Sequence, residues 1–491
     1  MSYASKASSG MLWLAMGTVV AKVSSFLSLI VLGWYLSKEE FALYALAFSS
    51  AAFFMAIRNG GVHQILMQRG AAGFERAANL YARYALSVNL LAMAMIVFLS
   101  PLVAKIYNTN DIYLMQFIIA VSLPLGTAGL FYHSKLAVDL RFADVARFDA
   151  YSSIARHGSA TLFAILGFGV YSFLLPLIVV ALFETLYGKY KTEIVLFKKR
   201  KLTPFFIKRI LNSSRWLILS SVAISIILQG DYLVIGFFES RETLGLYFFG
   251  FQLTIAIAVV ISQGMQSVVM PLMSSMKNDT ARQADAFTKM LVVLVFFMTF
   301  ISFQMCLVSG YFIHHIWGGK WDDAIIVVQL MSISLATNIL GPLGKSVLEA
   351  RGRWQRVSYL MVIDAIGIVL SAYIGSQLGG LIAIAMSVSV YRFIYGLIYI
   401  LYVAFDLKLK VLPVTCIILA PVIAGVIPLL TLFYIFGADP TLTSWFNVVI
   451  NITVFSFMYF VFMYVVQPRS SKMAWEFFQK NILNRIRFRR Y

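Results

Sequence analysis

A few ionisable side chains stand inside runs of apolar residues, and these are the groups whose types and spacing could do chemistry. Lys22 lies in the middle of an apolar stretch running from Met11 to Leu36. Thr18, Lys22 and Ser25 recur at helical spacing and so share one polar face. Arg58 comes late in the next apolar run, Arg156 and His157 open a later one, and Arg392 sits inside another. Asp231 and Asp364 are acidic counterparts in the second half of the chain. An ionisable group at membrane depth is costly unless it faces water, a partner or a ligand. Lys22, Arg58, Arg156 and Arg392 are therefore the expected binding groups of a cationic cavity, with Thr18 and Ser25 lining it. Walls of low dielectric magnify the attraction of such cations for phosphate. Asp231 and Asp364 are the expected sites for a coupling Na+ or H+.

Each of these residues also has a structural reading. Lys22 could close an ion pair, and Arg58, Arg156 and Arg392 could reach headgroups from a helix end. Asp231 and Asp364 could be hydrogen-bonded packing residues, and Glu184 reads as interfacial. His314 and His315, beside Trp317-Gly-Gly-Lys320, read as a membrane-interface feature rather than a metal site. Cys306 and Cys416 lie in apolar runs with no disulfide or metal spacing. The outside acids form no catalytic constellation, so neither an enzyme nor a metal or organic cofactor is expected.

The elements that must position these groups follow from composition. Of 491 residues, 60% are hydrophobic and only 12% charged. A soluble domain carries about 25% charged residues. The apolar runs are each about 20 residues long, enough to span the hydrocarbon core. About 14 spans are expected, at 11–36, 41–57, 80–104, 113–133, 152–169, 171–188, 215–238, 244–273, 289–317, 324–343, 357–376, 378–403, 411–436 and 445–467. With the N-terminus in the cytoplasm, only Lys38, Lys105, Arg241 and Lys320 of the 40 Lys and Arg fall in outside loops. Lys22 and Arg392 fall deep within spans, and all the others lie in cytoplasmic segments or, as Arg83, Arg156, Arg215 and Lys289 do, in the cytoplasmic ends of spans. That asymmetry obeys the positive-inside rule and supports the span count. The net charge of +19 thus serves topology and anionic headgroups, and no nucleic acid is expected.

The chain also repeats itself. Ser37-Lys-Glu-Glu-Phe-Ala-Leu-Tyr44 resembles Ser240-Arg-Glu-Thr-Leu-Gly-Leu-Tyr247, and Gly61-Val-His-Gln-Ile-Leu-Met67 resembles Gly264-Met-Gln-Ser-Val-Val-Met270 at the same offset. Lys135, Asp139 and Arg141 match Lys345, Glu349 and Arg351. Spans 1–6 and 7–12 therefore read as two copies of one unit, related by an axis along the membrane normal. The expected architecture is an all-α polytopic membrane protein: two pseudo-symmetric six-helix lobes around a central cavity, plus two extra C-terminal helices. The segments are 1–190 (first lobe), 191–214 (basic cytoplasmic linker), 215–405 (second lobe), 406–468 (helices 13 and 14) and 469–491 (basic cytoplasmic tail). Lys22 corresponds to Ser225, Arg58 to Ile261 and Asp231 to Ser28, so the first lobe is cationic where the second is neutral.

Gly33-Trp-Tyr-Leu-Ser-Lys-Glu-Glu-Phe-Ala-Leu-Tyr44 resembles the opening signature of polysaccharide flippases of the multidrug/oligosaccharidyl-lipid/polysaccharide superfamily. Arg58-Asn-Gly-Gly-Val-His-Gln-Ile-Leu-Met-Gln-Arg69 is similar to the end of that family's second helix. Asp231-Tyr-Leu-Val-Ile-Gly236, Leu244-Gly-Leu-Tyr247 and Met270-Pro271 are similar to its seventh and eighth helices. Trp317-Gly-Gly-Lys-Trp-Asp-Asp323 and Gly341-Pro-Leu-Gly-Lys-Ser-Val-Leu-Glu-Ala-Arg-Gly-Arg353 resemble the branch that handles colanic-acid-like and xanthan-like units. The chain departs at Leu36-Ser37 and at Ala42, where Leu-Gly and Gly are common. The resemblance implies flipping of undecaprenyl-diphosphate-linked repeat units across the bacterial inner membrane by alternating access, for exopolysaccharide, capsule or O-antigen assembly. It also implies a cationic cavity for the diphosphate, and membrane lipids, a polysaccharide polymerase and a chain-length regulator as partners. The alternatives are a cation-coupled drug exporter of the same superfamily and, further off, a scaffold or enzyme of polysaccharide assembly.

Overall fold

The computed structural model describes residues 3–58, 70–197, 203–436 and 444–479. Apart from one short 3-10 turn, its regular structure among these residues is α-helical. The helices are α1 (Tyr3–Tyr35), α2 (Lys38–Arg58), α3 (Gly70–Ile106), α4 (Ile112–Leu125), α5 (Thr127–Val138), α6 (Phe142–Ile165), α7 (Tyr171–Thr192), α8 (Pro204–Phe238) and α9 (Arg241–Ser275). There follow α10 (Thr280–Trp317), α11 (Ile325–Asn338), α12 (Leu340–Ala350), α13 (Trp354–Leu378), α14 (Gly380–Asp406), α15 (Val411–Phe436), α16 (Trp445–Val466) and α17 (Pro468–Phe478). Every expected span coincides with a helix or with two consecutive helices. Among the described residues, eleven spans are long and apolar enough to cross a bilayer, and α4 with α5, bent by 42°, makes a twelfth. Two expected spans, now α6 and α9, fall outside that set. For α6 the reason is chemical, since Asp144, Arg147, Asp149, Arg156 and His157 all lie on it. It also starts ten residues before the expected 152, which puts Arg156 and His157 in mid-helix rather than at its opening.

The chain divides into two compact units. The first comprises residues 1–248 and 361–369, the second residues 249–360 and 370–491. In the first, α1 lies along α6, α6 against α7, and α3 against α4. This unit runs past the first sequence copy because α8 packs along α2. In the second, α10, α11 and α14 pack together, and α15 and α16 lean on α10. Phe303 and Cys306 of α10 meet Leu429 and Leu432 of α15 and Phe455, Tyr459 and Met463 of α16 in one buried cluster. The Tyr459 hydroxyl donates to the Phe296 carbonyl at 2.8 Å, tying α16 to α10. Large apolar side chains also cover the outside, as Phe98, Phe405 and Tyr434 do. On a water-soluble protein that pattern would cost stability; in lipid it is the matching surface.

The repeat recurs in local geometry. At the start of α2, Ser37 Oγ accepts from Glu40 N and Glu40 Oε2 accepts from Ser37 N, a reciprocal capping box. At the start of α9, Ser240 Oγ accepts from Thr243 N at 3.1 Å. Each copy breaks its fourth span, at Gly126 and at Ile339. Each carries a Lys–acid pair one turn apart, Lys135–Asp139 at 3.0 Å and Lys345–Glu349 at 3.8 Å. The left-handed turn that follows is at Leu140 in one copy and Gly352 in the other. Counted from that turn, the two ion pairs differ in register by two residues, so the sequence match at Arg141 and Arg351 drifts at the helix end. Arg141 and Arg353 are the residues that directly follow the turn.

Candidate functional site

The structure joins three of the sequence-flagged groups on the first unit. α1 and α6 pack at close range because Gly17 sits against the backbone of Ala146, where a side chain would collide. Ser153 Oγ donates to the Ala21 carbonyl at 3.1 Å and fixes the register of the two helices. That register brings Lys22 of α1 and Arg156 of α6 within Coulomb range of the His157 ring. From α2, the Tyr44 hydroxyl is a hydrogen-bond partner of the Arg156 guanidinium. Tyr44 is itself held by stacking on Phe173 at 4.3 Å. Lys22 and His157 are half-buried and Arg156 is exposed. Thr18 and Ser25, both half-buried, flank Lys22 on the same face of α1.

Among the described residues, neither Lys22 nor Arg156 forms an ion pair with a carboxylate. Lys22 and Arg156 thus act on the same His157 ring from two helices packed together. An anion bound beside that ring is attracted to both cations. Arg156 can offer a planar fork of donors, Lys22 a mobile ammonium and His157 a ring nitrogen. That set suits a phosphate or diphosphate.

The other flagged groups lie elsewhere. Arg58 closes α2, but its side chain lies outside the described residues. Arg392 belongs to the second unit and is buried there, its guanidinium 4.8 Å from the centre of the Phe251 ring, a cation–π contact. Asp231 is fully buried. Its Oδ2 accepts from the Tyr247 hydroxyl at 2.9 Å and its Oδ1 from Tyr232 N at 3.0 Å. Asp364 is half-buried on α13, in the segment that joins the first unit. Glu184 packs against Gly129 of α5, away from the end of α7. His314 Nδ1 meets Asp322 Oδ2 at 2.7 Å, and no cluster able to hold a metal occurs among the described residues. Tyr44 was not among the expected site residues. Its place in the Glu40–Tyr44 motif reads as packing, and only the fold brings it to Arg156.

At one end of the first unit, α2 and the start of α9 close on each other. Lys38 Nζ pairs with Glu242 Oε1 at 2.8 Å. Gly245 lies directly on the Lys38 carbonyl, leaving no room for a side chain. Arg241 donates to the Asn108 carbonyl at 3.1 Å, and the Tyr107 hydroxyl donates to the Leu233 carbonyl at 3.0 Å. Burial pushes the Tyr107 phenol up to about 12, so this donor keeps its proton at any physiological pH. These contacts seal that end of the unit.

The chain matches a protein-family description, "Polysaccharide biosynthesis protein", over residues 31–326. It is 22% identical over 396 residues to a teichuronic acid biosynthesis protein, TuaB, of Bacillus subtilis (strain 168), covering 79% of this chain and 81% of that one. It is 24% identical over 313 residues to a succinoglycan biosynthesis transport protein, ExoT, of Rhizobium meliloti (strain 1021), covering 63% of this chain and 62% of that one. Its fold resembles a lipid II flippase, MurJ, in an inward closed conformation, with a TM-score of 0.72 at 14% identity over 93% of this chain and 98% of that one. It also resembles an inward-facing multidrug resistance transporter of the MATE family, with a TM-score of 0.65 at 15% identity over 80% of this chain and 98% of that one. The chain belongs to the polysaccharide biosynthesis protein family, and it is a multi-pass membrane transporter rather than an enzyme.

Proposed function

We propose that this protein flips an undecaprenyl-diphosphate-linked oligosaccharide from the cytoplasmic to the periplasmic leaflet of a bacterial inner membrane, with both its termini in the cytoplasm. The observation that carries this reading is that Lys22 and Arg156 both act on the His157 ring, with no carboxylate ion pair to either cation among the described residues. The diphosphate is the one strongly anionic group common to such substrates, and two uncompensated cations are what it needs. Thr18 and Ser25 offer hydroxyls to the first sugar. A cation-exporting pump on the same fold would place carboxylates at this position, which speaks against the drug-exporter reading.

An ion gradient drives the cycle in this proposal. Of the two candidate carboxylates, Asp364 is the better placed to exchange Na+ or H+, because it is half-buried while Asp231 is fully buried. The products feed exopolysaccharide, capsule or O-antigen assembly, with a polymerase and a chain-length regulator as neighbours.

The test is translocation in proteoliposomes with an undecaprenyl-diphosphate oligosaccharide and a membrane-impermeant probe of the sugar. Lys22→Gln and Arg156→Gln should each slow translocation about tenfold or more, the loss expected for one charge-assisted contact to phosphate. Both variants should keep the melting temperature of the wild type. Full activity in both would remove the anion site from the mechanism. Wild type that moves no lipid-linked glycan, under any imposed gradient, would end the flippase reading.

A further inference from the structure

A second cationic niche lies on the second unit, where α13 begins and α14 ends. It is a cavity of about 780 Å3 lined by Arg353, Arg356, Tyr402, Phe405, Asp406 and Lys408, with Leu409 at its edge. One carboxylate organises it. Asp406 Oδ1 holds Arg356 at 2.8 Å and Arg353 at 3.2 Å, while Oδ2 holds Arg351 at 3.0 Å. Arg351 is braced from behind by Gln283, which accepts from its guanidinium at 2.7 Å. Lys408 is fixed by the turn that ends α14. It takes a left-handed conformation with φ of 59°, its N–H bonds the Phe405 carbonyl, and the next N–H bonds the Ala404 carbonyl. That is a Schellman end, which determines where the following side chains point.

Charge in this niche does not balance. Arg353, Arg356 and Lys408 line it with positive charge, and the single carboxylate neutralises one of them even before Arg351 is considered. A guanidinium that gives one edge to Asp406 keeps further N–H donors for a second oxygen ligand. Close by, the surface turns apolar. Phe405 and Leu412 are each 74% exposed, and Tyr402 adds an aromatic wall. Cations in a preformed hollow, with bare apolar side chains next to them, match an amphiphile whose head is anionic and whose tail is hydrocarbon. A free phosphate would use the cations but not the apolar rim.

We infer that this niche binds the phosphate headgroup of an anionic phospholipid, such as phosphatidylglycerol or cardiolipin, from the leaflet at that end of the helices. Nothing in the flippase reading needs this site, because its residues share none of the Lys22 and Arg156 cluster. The site gives the second unit a fixed lipid at the junction of α13 and α14.

Full-length protein reconstituted in nanodiscs of phosphatidylcholine, with or without cardiolipin, would be released into the gas phase and its retained lipids weighed. The triple variant Arg353→Gln/Arg356→Gln/Lys408→Gln should retain cardiolipin about tenfold or more less than wild type, each cation at a membrane surface being worth about fivefold. Phosphatidylcholine retention should not change. Lys408 makes no ion pair with Asp406, so Lys408→Gln alone keeps the folded core and should show a smaller loss of the same sign. Lys289→Gln, on an exposed pair with Asp285, is the control and should retain cardiolipin as wild type does. Equal cardiolipin retention in wild type and Lys408→Gln would overturn the inference. So would displacement of cardiolipin from wild type by millimolar inorganic phosphate, which would make the niche a site for soluble phosphate.

Discussion

At the residue scale, the sequence marks which ionisable groups are unusual but not which of them meet. Lys22 and Arg156 are 134 positions apart, and only the packing of Gly17 on Ala146 shows that they share one patch. Arg392 looks like the same kind of residue in sequence, yet it is buried over Phe251. An apolar run conceals whether a charge faces a groove or a ring. Asp231 poses the same problem, and its chemistry can be tested. Removing its carboxylate leaves the buried Tyr247 hydroxyl without its acceptor, a loss of about 1–3 kcal/mol. Asp231→Ala should therefore lower the melting temperature in detergent by several degrees, while Asp231→Asn, which keeps an acceptor oxygen, should lower it less. Asp364→Asn should instead abolish the dependence of translocation on an imposed Na+ or H+ gradient. If Asp231→Asn abolished gradient dependence at unchanged stability, the coupling role would pass to Asp231.

At the element scale, much more was legible. Runs of about 20 apolar residues and the distribution of Lys and Arg locate the spans, because bilayer thickness and charge placement are crude constraints that sequence carries directly. The Ser37–Glu40 and Ser240–Thr243 motifs were legible as a repeat, and the structure supplies the reason: both are N-caps that open the second helix of a copy. What the sequence could not give was the bend between α4 and α5, or the two-residue drift after Lys135 and Lys345. Both depend on how a helix end is closed rather than on composition. The caps allow a local test. Ser37→Ala removes an acceptor from the first turn of α2 and should cost about 1 kcal/mol. Ser240→Ala should cost about the same at α9. Hydrogen exchange should quicken in the first turn of the affected helix and not in the other. Equal quickening across both helices would mean that the caps hold the two copies together instead of each holding its own helix.

At the scale of the whole molecule, the proposed cycle requires that the seal between α2 and the start of α9 can open. Lys38–Glu242 is an ion pair of that seal, and Lys38 remains 22% exposed. A partly exposed pair is worth about 1 kcal/mol or less, so it biases a seal that packing makes. The close fit of Gly245 on the Lys38 carbonyl supplies the shape. Reversing one charge, by Lys38→Glu, should therefore shift the protein toward the opened state without unfolding it, and adding Glu242→Lys should restore the balance. A covalent lock makes a stricter test. The native thiols Cys306 and Cys416 are first replaced by serine or alanine, and Lys38→Cys with Glu242→Cys is then introduced. Translocation should proceed under reducing conditions, stop when the disulfide forms, and return on reduction. A cross-linked protein that still moves lipid-linked glycan at the wild-type rate would show that this end never has to part, and would exclude alternating access through it.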